Sequence, residues 1–313
     1  MTFSSDYIQN KKELEQALRI TESFDIICKS TMIGGKNACF FFVDGLTKDE
    51  VLQKLLSGFY TIQEKDMPEN AYDFSTQQLP YIEVDILNHI SQTIISILSG
   101  MTAILIDGYP HAICMDVRTY PARNVDQPDK EKVLRGSKDG FVETIVFNTA
   151  LIRRRIRDPH LTMEMLSVGE ISHTDVVLCY IENKVDKELL NTIRKKIKNI
   201  HTSSLNMNQT SLAECLYERK WYNPFPKYKY TERPDTSAAS ILEGSLLILV
   251  DNSPSAIILP TSLFGIMEEA DDYYLPPITG TYLRLTRFII SIVTFFITPT
   301  ILLLTMYPEW IPE

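Results

Sequence analysis

The sequence predicts a mixed α/β fold of two similar subdomains followed by a C-terminal transmembrane helix. Three observations lead there. Short apolar runs bounded by turn residues alternate with segments whose apolar positions recur every three or four residues, the signatures of strand and helix. The order of these segments then repeats about 140 residues later, as expected of a duplicated unit. FFFVDGLTKDEVLQKLL finds a counterpart in VLCYIENKVDKELLNTI, and AILIDGYPHAICMDV in LLILVDNSPSAIILP. Finally, Phe288 to Tyr307 is twenty residues without a charge, fourteen of them apolar. About twenty such residues cross the hydrocarbon core of a bilayer as a helix.

Taken in order, Asp25–Thr31 and Ala38–Val43 read as strands joined by Gly34-Gly35-Lys36. A helix follows, opened by a capping box of Thr47 and Glu50, with Val51, Leu52, Leu55, Leu56 and Phe59 on its apolar face. Glu64–Gln78 is polar and irregular. Tyr81–Leu98 reads as a second helix with Ile82, Ile86, Ile90, Ile94 and Ile97 on one face and Gly100 as its stop. Thr102–Ile106 and His111–Val117 flank Asp107-Gly108-Tyr109-Pro110, a hairpin signal. In the second half, Asp175–Ile181 is a strand, and Val185, Leu189, Ile193, Ile197 and Ile200 mark an amphipathic helix. Ser211 and Glu214 open another helix, and Leu246–Val250 and Ala256–Leu259 flank the turn Asp251-Asn252-Ser253-Pro254. This gives an N-terminal subdomain over 1–122, a linker and turn over 123–140, a second subdomain over 141–275 and a membrane segment over 280–313, its helix at about 288–307.

The chain has 313 residues and a formal net charge of −9. An acidic balance argues against a general nucleic-acid binder. Cys28, Cys39, Cys114, Cys179 and Cys215 are scattered and never spaced as CxxC, which suits free thiols in a reducing compartment and argues against a zinc site. Arg284 and Arg287 precede the apolar run, no Lys or Arg follows it, and Trp310 suits the far interface. That asymmetry places the N-terminal domain on the cytoplasmic side.

Three charged segments are candidates for function. Arg135, Gly136 and Gly140 lie in a loop (LRGSKDGF) ahead of a helix expected to start near Phe141. The loop lacks the spacing of a phosphate-binding P-loop and reads first as a structural turn. That helix ends in Arg153, Arg154, Arg155 and Arg157, with Phe141, Ile145, Asn148, Ile152 and Ile156 on one face and the arginines elsewhere. The arginines are expected on a solvated, salt-bridged face or on a docking surface for an acidic partner or anionic lipid. Tyr222–Asp235 reads as a rigid, extended, proline-rich connector whose end, Thr231, Glu232, Arg233, Pro234 and Asp235, packs alternating charges as a local network or a partner interface. No GxSxG, HExxH or GxGxxG occurs, and the five histidines are dispersed, so no catalytic residue, cofactor or metal is assigned. The alternative is a membrane-tethered α/β enzyme or small-ligand binder with a cleft between the subdomains.

The segments DIICKSTMIGGKNACFFFVDGL, LRGSKDGFVETIVFNTALIRRRIRDP, NPFPKYKYTERPD, ILEGSLLILVDNSP and TGTYLRLTRF resemble, in the same order, the A-subunit family of bacterial spore germinant receptors, the GerA type. LVDNSPSAIILP and ITGTYLRLTRF lie nearer to its stage V sporulation branch. The resemblance implies a cytoplasmic two-part α/β domain, a membrane domain in the spore inner membrane, and a role in germination with B- and C-type partner subunits in an assembly that conducts ions. It also implies that Phe288–Tyr307 begins a longer membrane domain. A homo-oligomer is expected, since a single helix lines a pore only in several copies.

Overall fold

In the computed structural model, residues 2–79, 81–119, 131, 137–200, 209–217, 227–262, 265–266 and 276–307 are described. The first unit runs α1 (Tyr7–Ala17), β1 (Ile26–Ile33), β2 (Lys36–Val43), α2 (Asp49–Phe59), α3 (Ala71–Gln77), β3 (Val84–Leu87), α4 (Ile90–Leu98), β4 (Thr102–Ile106) and β5 (Ala112–Met115). The second runs α5 (Ile145–Arg155), β6 (Leu161–Val168), β7 (Thr174–Ile181), α6 (Lys187–Lys198), α7 (Gln209–Leu216), β8 (Lys229–Thr231), α8 (Pro234–Leu242), β9 (Leu246–Val250) and β10 (Ala256–Leu259). Each unit forms a five-stranded sheet, and the strand orders are the same: β1-β2-β4-β5-β3 and β6-β7-β9-β10-β8. All the pairings are antiparallel.

The apolar runs explain the layering. Ala38–Val43 is buried at every position, because helices cover both faces of the sheet. Cys39, Phe41 and Val43 point to one face, under Leu14 of α1 and Ile97 of α4. Phe40 and Phe42 point to the other, under Leu52 and Leu55 of α2 and Phe74 of α3. The second sheet is covered alike, by α5 and α8 on one face and α6 and α7 on the other. The β1–β2 turn requires its glycines: Gly34 and Gly35 take φ of 49 and 76, the pair of left-handed residues that a tight hairpin needs.

The duplication extends to single hydrogen bonds. In α1, buried Asn10 donates to the Ser4 carbonyl (2.8 Å) and accepts from the Ser4 N–H (2.9 Å). In α5, buried Asn148 does the same to Val142, at 2.6 and 2.8 Å. Each asparagine thus clamps the chain six residues before it and fixes the entry into its helix. Likewise Phe3 N–H donates to Asn88 O and Phe141 N–H to Glu232 O, at 3.1 and 2.9 Å.

Several elements depart from the sequence-based expectation. The segment 81–98 is not one helix. Val84–Leu87 pairs with β5, helix begins only at Ile90, and Ile82 is 99% exposed. The isoleucines at four-residue spacing imitate a helix face, but Ile86 serves a strand. Glu64–Gln78 contains a 3₁₀ turn at Glu64–Asp66 and the helix α3, which Asn70 caps by accepting from Asp73 N–H. The Thr47–Glu50 capping box does not form: Lys48 is the N-cap, and Thr47 Oγ1 donates instead to Val43 O. Ser211 lies inside α7, which already includes Gln209. The helix expected from Phe141 starts at Ile145, and Tyr230 to Asp235 is not a connector but the end of β8 and the start of α8. α1 and β6 lack a counterpart in the elements read from the sequence.

The last helix among the described residues, α9 (Pro277–Met306), is 30 residues long. It contains Arg284 and Arg287 and starts eleven residues earlier than the expected Phe288. Ile278–Met306 is long and apolar enough to cross a membrane, and no residue of its most apolar eighteen-residue stretch is buried.

Candidate functional site

The arginine cluster contributes to two places, and the charged end of the connector to the second of them. The first is the junction between the units. Arg153 is not on a solvated face. Its guanidinium is fully buried (0% exposed) against Asp25, itself 2% exposed, with Nε donating to Oδ2 at 2.7 Å and Nη2 to Oδ1 at 3.0 Å. Nη2 also donates to Ser23 Oγ and Leu161 O, and Nη1 to Asp158 O. Ser23 Oγ donates to Asp25 Oδ1 at 2.6 Å and accepts from Met163 N–H, while Phe24 N–H donates to Met163 O. The pair is therefore a desolvated, fully bonded network that joins the corner of one sheet to a helix and a strand of the other unit. Nearby, Gly45 takes a positive φ of 76, and an added Cβ there would sit 3.0 Å from the Cβ of Ala150. This closeness of backbone to α5 requires glycine. At this junction the units are in direct contact.

The second place is a clasp around the start of α8. Arg233 is also fully buried. It binds the Asp235 carboxylate with Nε (3.1 Å) and Nη2 (2.6 Å), and donates to Glu131 O and Ser137 O. The Glu131 carboxylate accepts from Thr231 Oγ1 at 2.7 Å and Glu232 N–H at 3.0 Å. Arg155 completes the clasp, donating to Ser137 Oγ and to Asp139 Oδ2 at 2.9 Å. A polar stretch that precedes the second unit is thus tied to the β8–α8 turn within it through charged, hydrogen-bonded groups, which are stronger than neutral ones.

The structure therefore brings Arg155, Thr231, Glu232, Arg233 and Asp235 together and places Pro234 at the first turn of α8. Gly140 follows Asp139 in the same segment. Arg153 serves the junction instead. Arg154 is partly exposed and Arg157 exposed, beside the junction. Arg135, Gly136 and Trp310 lie outside the described residues. Ser23, Asp25 and Glu131 were missing from the sequence-based set. An aspartate between Phe24 and Ile26 at a strand entrance is the one local sign that Asp25 is special. Among the described residues, no group of three or more His, Cys, Asp or Glu is placed to hold a metal ion.

A pair of duplicated α/β units, locked by a buried ion pair and followed by a helix of membrane length, defines this chain as a two-unit globular domain carried on a candidate membrane span. Residues 12–313 match the family described as Bacillus/Clostridium GerA spore germination protein, and the chain belongs to that family. It is 37% identical over 306 residues to stage V sporulation protein AF of Bacillus subtilis (strain 168), covering 97% of this chain and 62% of that protein. It is 30% identical to spore germination protein A1 of the same organism, covering 93% of this chain and 59% of that protein. The chain thus spans about three fifths of the length of these relatives. Its fold matches the crystal structure of the N-terminal domain of the A subunit of the Bacillus megaterium spore germinant receptor GerK3, with a TM-score of 0.62 at 24% identity, over 84% of this chain and 98% of that one.

Proposed function

We propose that this chain is a membrane-anchored, non-enzymatic subunit of a spore germination complex. Its two-unit domain lies on the cytoplasmic side of the spore inner membrane and passes changes in subunit contact to an ion-conducting membrane assembly. The observation that carries this reading is the family match over nearly the whole chain together with a helix of membrane length at its end. The relatives it matches are named as germination or sporulation proteins. The arginines ahead of the apolar stretch favour the cytoplasmic side. B- and C-type subunits or an equivalent partner, membrane lipid and further copies of the chain are its expected contacts. The clasp of Arg155, Arg233, Asp235 and Glu131, together with the adjoining sequence that carries Arg135, Gly136 and Gly140, is the proposed coupling element, and Arg154 and Arg157 its partner-facing cations.

The test is to tag the chromosomal gene at its N-terminus, fractionate spores of the source organism and recover the tagged protein with its partners. The proposal expects the protein in the inner-membrane fraction, co-purifying with other germination subunits, and Arg154→Glu weakening that recovery without loss of fold. A tagged protein in the soluble fraction, or one recovered from the membrane without any germination subunit, overturns it.

A further inference from the structure

The two sides of α9 differ in chemistry. At 3.6 residues per turn, Ser291, Thr294, Thr298 and Thr305 fall within an arc of about 60°. Arg284 and Arg287 continue that stripe toward the start of the helix and widen it to about 80°. Leu285, Ile289, Val293, Phe296 and Leu303 fall on the opposite side. Of the five serines and threonines between Phe288 and Met306, Thr300 alone lies off the stripe.

The hydroxyl protons of the stripe are already used. Ser291 Oγ donates to Arg287 O at 2.9 Å and Thr294 Oγ1 to Ile290 O at 2.8 Å. Thr298 Oγ1 donates to Thr294 O at 2.9 Å and Thr305 Oγ1 to Leu302 O at 2.8 Å. What these groups present outward is oxygen lone pairs. Pro299 adds one more acceptor. It has no N–H, so the Phe295 carbonyl loses the donor that the helical ladder would give it. No hydroxyl replaces that donor: Thr300 Oγ1 goes to Phe296 O. The Phe295 carbonyl borders Thr298, about 12 Å along the axis from Arg287, near the middle of a ~30 Å hydrocarbon core. Lipid offers no hydrogen bond at that depth.

We propose that this stripe is the docking face for a transmembrane helix of a different polypeptide, one that carries hydrogen-bond donors at mid-depth. Asparagine, glutamine, histidine, serine and threonine are the side chains that join membrane helices in this way. Among the described residues, Ile278–Met306 is the one stretch long and apolar enough to span, so the cover comes from another chain. A second α9 fits poorly, because it would set acceptors against acceptors. The opposite side, with Ile289, Val293, Phe296 and Leu303, faces lipid. The inference rests on the membrane placement proposed above and not on the germination role.

The test uses the full chain, expressed from its own gene in sporulating cells. A photo-activated diazirine side chain is placed at Ser291 or Thr298 on the stripe, or at Ile289 or Phe296 opposite. The inner-membrane fraction is irradiated and the linked peptides are sequenced. The proposal expects the stripe positions to link to a membrane span of one other polypeptide, with a donor side chain within a turn of the linked residue. Their yield should be several-fold above that of the opposite positions. Pro299→Ala returns an N–H to the Phe295 carbonyl, and combining it with Thr294→Val should cut the yield from Ser291 several-fold while the amount in the membrane is unchanged. Equal yields from the two sides overturn the proposal. So do links chiefly to a second copy, links to lipid alone, or a yield indifferent to the double variant. Labelling of Thr298→Cys by a water-soluble thiol reagent in intact membranes also overturns it, because the stripe then faces water. A chain absent from the membrane fraction overturns the membrane placement and this proposal with it. A linked span from a protein without a part in germination leaves the docking face standing and counts against the proposed role.

Discussion

Removing Arg153 should be the most damaging single change at the junction. Asp25 is 2% exposed, and Arg153 gives it two hydrogen bonds. Arg153→Met keeps much of the volume and leaves a carboxylate buried without its counter-charge. Breaking a buried pair in this way costs roughly 3–5 kcal/mol, whereas replacing both partners by apolar residues is often neutral. For a domain of this size, each kcal/mol moves the melting temperature by about 2–4 °C, so the single change should lower it by roughly 6–20 °C. Asp25→Leu alone should cost a similar amount, because the guanidinium then keeps only Ser23 and backbone carbonyls. The double variant should regain most of the loss. The assay is thermal unfolding of the full chain in detergent followed by far-ultraviolet circular dichroism, for the wild type, both single variants and the double variant. If the single changes cost less than about 1 kcal/mol, as an exposed pair would, or if the two losses simply add, the junction is not held as argued.

Two further changes test other parts of the fold. Asn10→Ala and Asn148→Ala should each cost roughly 1–3 kcal/mol, since each leaves a backbone N–H and a carbonyl without a partner. Similar losses at the two sites, read from the same melts, would support the duplication at the level of single bonds, and a negligible loss at either would count against the clamp. The hydrogen bonds from Arg118 hold the Asp116 carboxyl below the ordinary carboxylate range. A depressed folded-state value stabilises the protein above the unfolded carboxylate pKa of about 4, and that stability is lost as pH falls through the depressed value. Arg118→Gln should therefore lower stability at pH 7, with the variant and wild-type melting temperatures converging as pH falls through the depressed value. Parallel curves across that range would refute the pairing.

The hairpins were legible because their signals are local. Gly34-Gly35 and Asp107-Gly108 are turn residues between runs too apolar to be anything but buried strand. The repeat was legible for the same reason, through the strand–turn–helix stretch beginning at Phe40 and its counterpart beginning at Val177. Where two periodicities overlapped, the reading failed: the isoleucines from Ile82 to Ile94 fit a helix face, and only pairing with β5 shows that Ile86 belongs to a strand. β6 was also missed, although its apolar residues alternate from Leu161 through Met163 to Met165. The candidate site was legible in part. Charge density picked out Arg153 and Arg233, but charge also implied solvent, and both are buried. Their partners lie outside any local window. Asp25 is 128 residues from Arg153, and Glu131 is 102 from Arg233.

The continuity of α9 has a mechanical consequence. At a rise of 1.5 Å per residue, its 30 residues make a rod of roughly 45 Å, longer than the ~30 Å hydrocarbon core. Arg284 and Arg287 are part of that rod and not of a flexible leader. Placed across a bilayer, the helix cannot slide inward by a turn without drawing both guanidinium groups toward the acyl chains, at a cost of order 2.5–3.5 kcal/mol each at full depth. The two arginines therefore act as a collar. They limit travel along the membrane normal and leave rotation and tilt as the motions that a pull or twist from the globular units can drive.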